Sequence, residues 1–88
     1  MPTVEIPGPY AGPTRGAEKL VVPGRTVREC IDAIESDYPG FAPLIFDRGH
    51  KVHRFVRVFV NGEPAKPESS VGESDVVTIL AAIGGGSV

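Results

Sequence analysis

The chain has 88 residues, 41% of them hydrophobic and 23% charged, with a formal net charge of -2 at pH 7. That length predicts one small domain with a modest core, and the slight acid excess argues against the basic footprint of a nucleic-acid binder. A single cysteine, Cys30, fits a reducing compartment; with no apolar run near the ~18 residues of a membrane span and no signal-peptide pattern, the expectation is a soluble cytoplasmic domain.

Thr3 to Ile6 (TVEI) alternates, with Val4 and Ile6 on one face, and predicts a short half-buried strand. PGPYAGPTRG (Pro7 to Gly16) is dense in proline and glycine and predicts a mobile loop. Leu20 to Val22 reads as a second strand, stopped by Pro23-Gly24. A hairpin thus opens the chain.

A helix follows. Thr26 and Glu29 have capping-box spacing, in which a hydroxyl and a carboxylate each satisfy a backbone N–H left without a helical partner. Val27, Cys30, Ile31 and Ile34 recur at helical spacing and form one apolar stripe. Pro39-Gly40 ends the helix after Tyr38. Phe41 to Lys51 reads as an irregular connection whose Phe41, Leu44, Ile45 and Phe46 tuck under the sheet.

Phe55 to Val60 is the strongest strand signal, rich in branched and aromatic residues, and Asn61-Gly62 is the favoured dipeptide of a type I′ hairpin turn. A polar loop leads to Val76–Leu80 (VVTIL), apolar almost throughout and suited to the centre of a sheet. One helix must then cross one face of a mixed sheet of four or five strands, with the first and last strands parallel at its centre. This is an α+β fold of the β-grasp, or ubiquitin-like, arrangement: a body over residues 1–80 and a flexible tail over residues 81–88.

Residues that carry chemistry are sparse. His50 and His53 lack the further ligands of a metal site, so none is expected. Cys30 falls on the buried stripe and reads as a structural thiol. Gly84, Gly85 and Gly86 are no phosphate loop, because no Lys-Ser/Thr and no helix follow them. On the Phe55–Val60 strand the valines point one way while Phe55, Arg57 and Phe59 point the other. Those three side chains either form a second small core under the loops, the simpler reading, or a partner-docking patch. The glycine run resists ordering onto the body and leaves a thin terminus that can enter a narrow active site elsewhere.

VHRFVRVFVNGE (Val52 to Glu63) and the ending VTILAAIGGG (Val77 to Gly86) resemble the MoaD/ThiS family of small sulfur carriers, whose members end in a diglycine after a last strand. The resemblance spans nearly the whole chain and points towards the branch serving cysteine biosynthesis. It implies no catalytic side chain in the chain itself. An ATP-dependent, E1-like adenylyltransferase/sulfurtransferase would activate the carboxylate of Gly86, with Gly84 and Gly85 read as the recognised tail, and sulfide or a persulfide would displace AMP to leave a thiocarboxylate. The sulfur would pass to an aminoacrylate on pyridoxal phosphate in a cysteine synthase, and a JAMM-type zinc peptidase would release cysteine. ATP, pyridoxal phosphate and zinc belong to those partners. Related readings are a molybdopterin or thiamin carrier, or a protein modifier joined through Gly86. Three departures stand out: Ala81 replaces a frequent proline, Ser74 a frequent glycine before Asp75, and Ser87-Val88 follows the diglycine, so the Gly86–Ser87 bond is the expected processing site.

Overall fold

Strands from the two ends of the sequence lie side by side in the computed structural model, which describes residues 1–81. The strands are β1 (Thr3–Glu5), β2 (Lys19–Val21), β3 (Val56–Val60), β4 (Glu63–Pro64) and β5 (Val76–Ala81); the helices are α1 (Val27–Asp37) and α2 (Ala42–Ile45). The sheet order is β2-β1-β5-β3-β4. β1 pairs with β5 in parallel, Val4 opposite Val77, and every other pairing is antiparallel. A parallel pair needs a long crossover between its strands, and the helical layer supplies it.

The core lies between the sheet and α1. Val27, Cys30, Ile31 and Ile34 of α1 are buried against Val4, Val56, Val58, Val77 and Ile79, so the predicted stripe and the inward valines meet. The Thr26 hydroxyl accepts the Glu29 N–H at 3.1 Å, as the capping box requires. The Glu29 carboxylate, however, accepts from Arg25 N at 2.8 Å, one residue before the cap, because the chain turns in from Gly24 there. Asn61 and Gly62 have φ of 51° and 85°, which builds the type I′ turn between β3 and β4. The Asn61 side chain also accepts from Val76 N and donates to Asp75 Oδ1, both at 2.9 Å, stitching the turn to the start of β5.

Two loops are more ordered than their composition suggests. Residues 7–16, expected to be mobile, contain a 3-10 turn at Gly8–Tyr10 and a buried Thr14 whose hydroxyl donates to Ala17 O at 2.7 Å. A side-chain bond to the local backbone thus fixes a stretch that has few apolar anchors. The supposedly irregular connection after α1 holds the short helix α2. Glu35 accepts N–H bonds from Ala42 at 2.8 Å and from Gly40, so a carboxylate of α1 caps α2 across the Pro39-Gly40 turn. Those bonds, chiefly that from Ala42, hold the Glu35 carboxyl below its ordinary pKa. Phe41 and Ile45 are fully buried and Phe46 nearly so, as the sequence indicated.

Candidate functional site: the end of the last strand

β5 decides where the C-terminal segment leaves the body. Its inward residues, Val77 and Ile79, are buried, while Leu80 faces out at 46% exposure. On one side β1 pairs with β5 only as far as Thr78, where the Thr78 hydroxyl donates to Glu5 at 3.0 Å. On the other, β3 accompanies it to the end, with Val56 opposite Ala81 and Arg57 opposite Leu80. Beyond Thr78, Ile79 and Leu80 line an open groove with Ile6, Pro7, Glu18 and Lys19.

The antiparallel β3–β5 register has a direct consequence: the start of β3 and the end of β5 share one end of the sheet. Phe55, just before β3, is 54% exposed, and the Arg54 guanidinium lies over its ring at 5.4 Å. Phe59 is half-buried opposite Thr78. Among the described residues no second core covers Phe55, which corrects the simpler of the two expectations for that side chain. Arg57 is exposed, yet its Nη1 donates to Arg54 O at 2.8 Å and Val56 O at 3.1 Å. It occupies carbonyls that the short β4 leaves unpaired, a common way to blunt a sheet edge.

Phe55 and Arg57 are therefore brought to the end of the sheet where β5 ends, while Phe59 lies further along β3, opposite Thr78. Gly84, Gly85, Gly86 and Ser87 lie outside the described residues. Leu80 belongs with Phe55 and Arg57 and was missed, although the alternation of VVTIL places it outward with Thr78.

Cys30 and the histidines lie elsewhere. The Cys30 thiol is fully buried, and its pKa is pushed up by burial first and by the neighbouring Glu29 charge second, which keeps it protonated and unreactive. His53 Nε2 sits 3.0 Å from Pro43 O, a link between the loop before β3 and α2. Among the described residues no three His, Cys, Asp or Glu side chains group as metal ligands.

A five-stranded mixed sheet with one main helix across one face, its central last strand leading out beside an aromatic and basic corner, defines a protein of the ubiquitin-like β-grasp class. The chain belongs to the ThiS family, whose sequence pattern matches residues 4–86. The sulfur carrier protein CysO of Mycobacterium tuberculosis is 32% identical to it, over 96% of this chain and 97% of that one. Among solved structures, CysO in the Amycolatopsis orientalis BexX/CysO complex superposes with a TM-score of 0.88 at 35% identity, covering 93% of this chain and 96% of its own. The crystal structure of Mycobacterium tuberculosis CysO gives 0.87 at 31% identity, covering 93% and 99%.

Proposed function

We propose that this protein is a sulfur carrier for the biosynthesis of cysteine, working through the carboxylate of Gly86. The observation that carries the reading is the extent of the family match: it runs through β5 and ends at Gly86, not at Val88. Likeness to CysO along almost the whole chain supports the cysteine branch.

Cleavage between Gly86 and Ser87 by a JAMM-type zinc peptidase exposes the carboxylate. An E1-like adenylyltransferase transfers AMP from ATP to it and releases pyrophosphate. Sulfide then attacks the acyl carbon, AMP leaves, and the carrier holds a thiocarboxylate that is anionic at neutral pH. The thiocarboxylate sulfur would add to the β-carbon of an aminoacrylate held by a pyridoxal phosphate-dependent cysteine synthase, giving a thioester. Once the amino group is released from the cofactor the acyl group would shift from sulfur to nitrogen, and the peptidase would hydrolyse that amide to free cysteine and restore the Gly86 carboxylate. In this scheme the body supplies recognition and tethering. Tethering replaces free sulfide with a high effective concentration at the acceptor, and side-chain-free glycines let the backbone approach a nucleotide closely.

The test is the intact mass of the protein isolated from its own cells. The expected species lacks Ser87-Val88 and, in a fraction, has one oxygen exchanged for sulfur. A chain that stays full length and unloaded under sulfur limitation overturns the reading, and high-mass conjugates through Gly86 assign it to protein modification instead.

A further inference from the structure

The stretch RGHKVHRF, residues 48–55 between α2 and β3, lies largely outside both the core and the sulfur chemistry. Residues 48–57 carry four of the nine Lys and Arg residues and none of the eleven Asp and Glu. In a chain of net charge -2 this is a local reversal of sign. Arg48, Lys51, Arg54 and Arg57 are all exposed, and among the described residues none pairs with a carboxylate.

Two acidic residues beside the stretch, Asp47 and Glu35, direct their hydrogen bonds to backbone groups, although the Asp47 charge also attracts His53 and Lys51. Asp47 Oδ1 accepts from Gly49 N at 2.8 Å and Lys51 N at 3.1 Å, and Glu35 caps α2. The stretch is also held in place: Arg28 Nη2 donates to His50 O at 2.6 Å while its guanidinium lies 4.7 Å from the centre of the Phe46 ring. His53 N donates to Ile45 O at 2.9 Å. The ridge is a fixed surface, and it runs into Val56, the residue opposite Ala81.

That position matters if Gly86 reacts inside another protein, and the inference rests on the sulfur-carrier reading to this extent. Gly86 is five residues beyond Ala81, a reach of at most about 18 Å. A partner that takes Gly86 into its active site must therefore bring the mouth of that site against the end of the body where β5 exits. Of the ridge, Arg54 lies two residues before Val56 and so nearest that end along the chain, with Lys51 and Arg48 further back on the same loop.

We propose that Arg48, Lys51 and Arg54 form an electrostatic docking ridge that engages an acidic rim around the active-site mouth of the adenylating partner. Charges of one sign beside an insertion point steer encounter and fix orientation, and they act on association more than on residence. Arg57 adds charge but is tied to the sheet edge; Arg48 and Lys51 are exposed, and Arg54 presents its charge from over the Phe55 ring.

The test is stopped-flow association of the trimmed carrier, ending at Gly86, with the adenylating enzyme of the same organism. Wild type is compared with the R48Q/K51Q/R54Q variant at ionic strengths from ~0.02 M to ~0.5 M. The expected result is an association rate about tenfold lower for the variant at low salt, converging with wild type at high salt, and an unchanged dissociation rate. Circular dichroism and the melting temperature of the variant check its fold, and R48K/R54K serves as a charge-conserving companion that should associate like wild type.

Equal association rates and equal salt slopes for wild type and the Gln variant overturn the ridge, even when wild type forms a thiocarboxylate normally. A loss in the variant that persists at high salt also overturns it, because contact shape rather than charge would then be responsible. Equilibrium dialysis of the carrier with ATP alone separates a nucleotide site: ATP binding lost in the variant, with protein association intact, overturns the proposal in favour of a small-anion site. Failure of wild type itself to be adenylated instead counts against the sulfur-carrier reading.

Discussion

Gly24 lies directly against Cys30: a β-carbon at Gly24 would sit 2.8 Å from both the backbone nitrogen and the Sγ of Cys30. Gly24 also has φ of +149°, outside the range that side chains favour. The turn that delivers the chain to the start of α1 therefore depends on a bare α-carbon. Gly24→Ala is expected to destabilise the protein by roughly 3 kcal/mol, through overpacking against a backbone that cannot retreat and through the strained φ. Urea denaturation checks this; a loss below about 0.5 kcal/mol would show that α1 can shift to make room.

At the same helix end, Thr26→Ala removes the acceptor for Glu29 N. A cost of about 1 kcal/mol follows, or roughly 4–8 °C in melting temperature for a domain of this size. Thr26→Ser should restore most of it. If Ser and Ala melt alike, the hydroxyl is not the stabilising group.

Stability and sulfur chemistry should separate cleanly between two other positions. Ile34 is 1% exposed in the core, and Ile34→Ala is expected to cost about 2–5 kcal/mol by opening a cavity. Gly86→Ala should leave the melting curve unchanged and depress adenylation, since a methyl group blocks close approach to the nucleotide. The paired measurement is thermal unfolding beside thiocarboxylate yield. A Gly86→Ala carrier loaded as fully as the parent would falsify the assigned role of that glycine.

Acid should weaken the fold through named carboxylates. Asp75 accepts from Gly72 N at 2.7 Å and from Asn61 Nδ2, bonds that hold its pKa below the ordinary 3.8, the Gly72 bond contributing most. Asp47 is lowered too, first by the N–H of Lys51. A carboxylate with a depressed folded-state pKa contributes stability that is fully present above the ordinary value and is lost as pH falls through the folded one. Unfolding free energy should thus be flat near neutrality and decline as pH falls below 4.5, the ordinary value for Glu35, and further below 3.8, that for Asp47 and Asp75. Asp75→Asn should reduce stability at pH 7 and flatten that acid limb; an unchanged limb would place the acid sensitivity elsewhere.

Much of the architecture is legible from short-range chemistry. The Thr26/Glu29 spacing, the Ile31–Ile34 stripe, the Asn61-Gly62 turn and the apolar run Val76–Leu80 each state a local preference that the packing keeps. The missed pieces depend on contacts between residues that are not neighbours on one element. α2 is four residues long and contains Pro43; Glu35, seven positions before Ala42, supplies the cap that lets it form. Thr14 is buried by a bond to Ala17 that no periodicity announces. Arg57 faces out in alternation, yet the brevity of β4 decides where its guanidinium goes. Of the candidate site, the outward position of Phe55 and Arg57 was readable. The companionship of Leu80 required the β3–β5 register.

The uneven flanking of β5 has a mechanical consequence. A force along the axis of β5 would load its hydrogen bonds to β1 and β3 sideways, in shear, so that the bonds within one clamped stretch share the load. Only β3 grips residues 79–81, so that stretch is the compliant part, while residues 76–78 are clamped on both sides. The body can give up slack at its margin while the clamped part resists unravelling, as an anchor for a line under tension must.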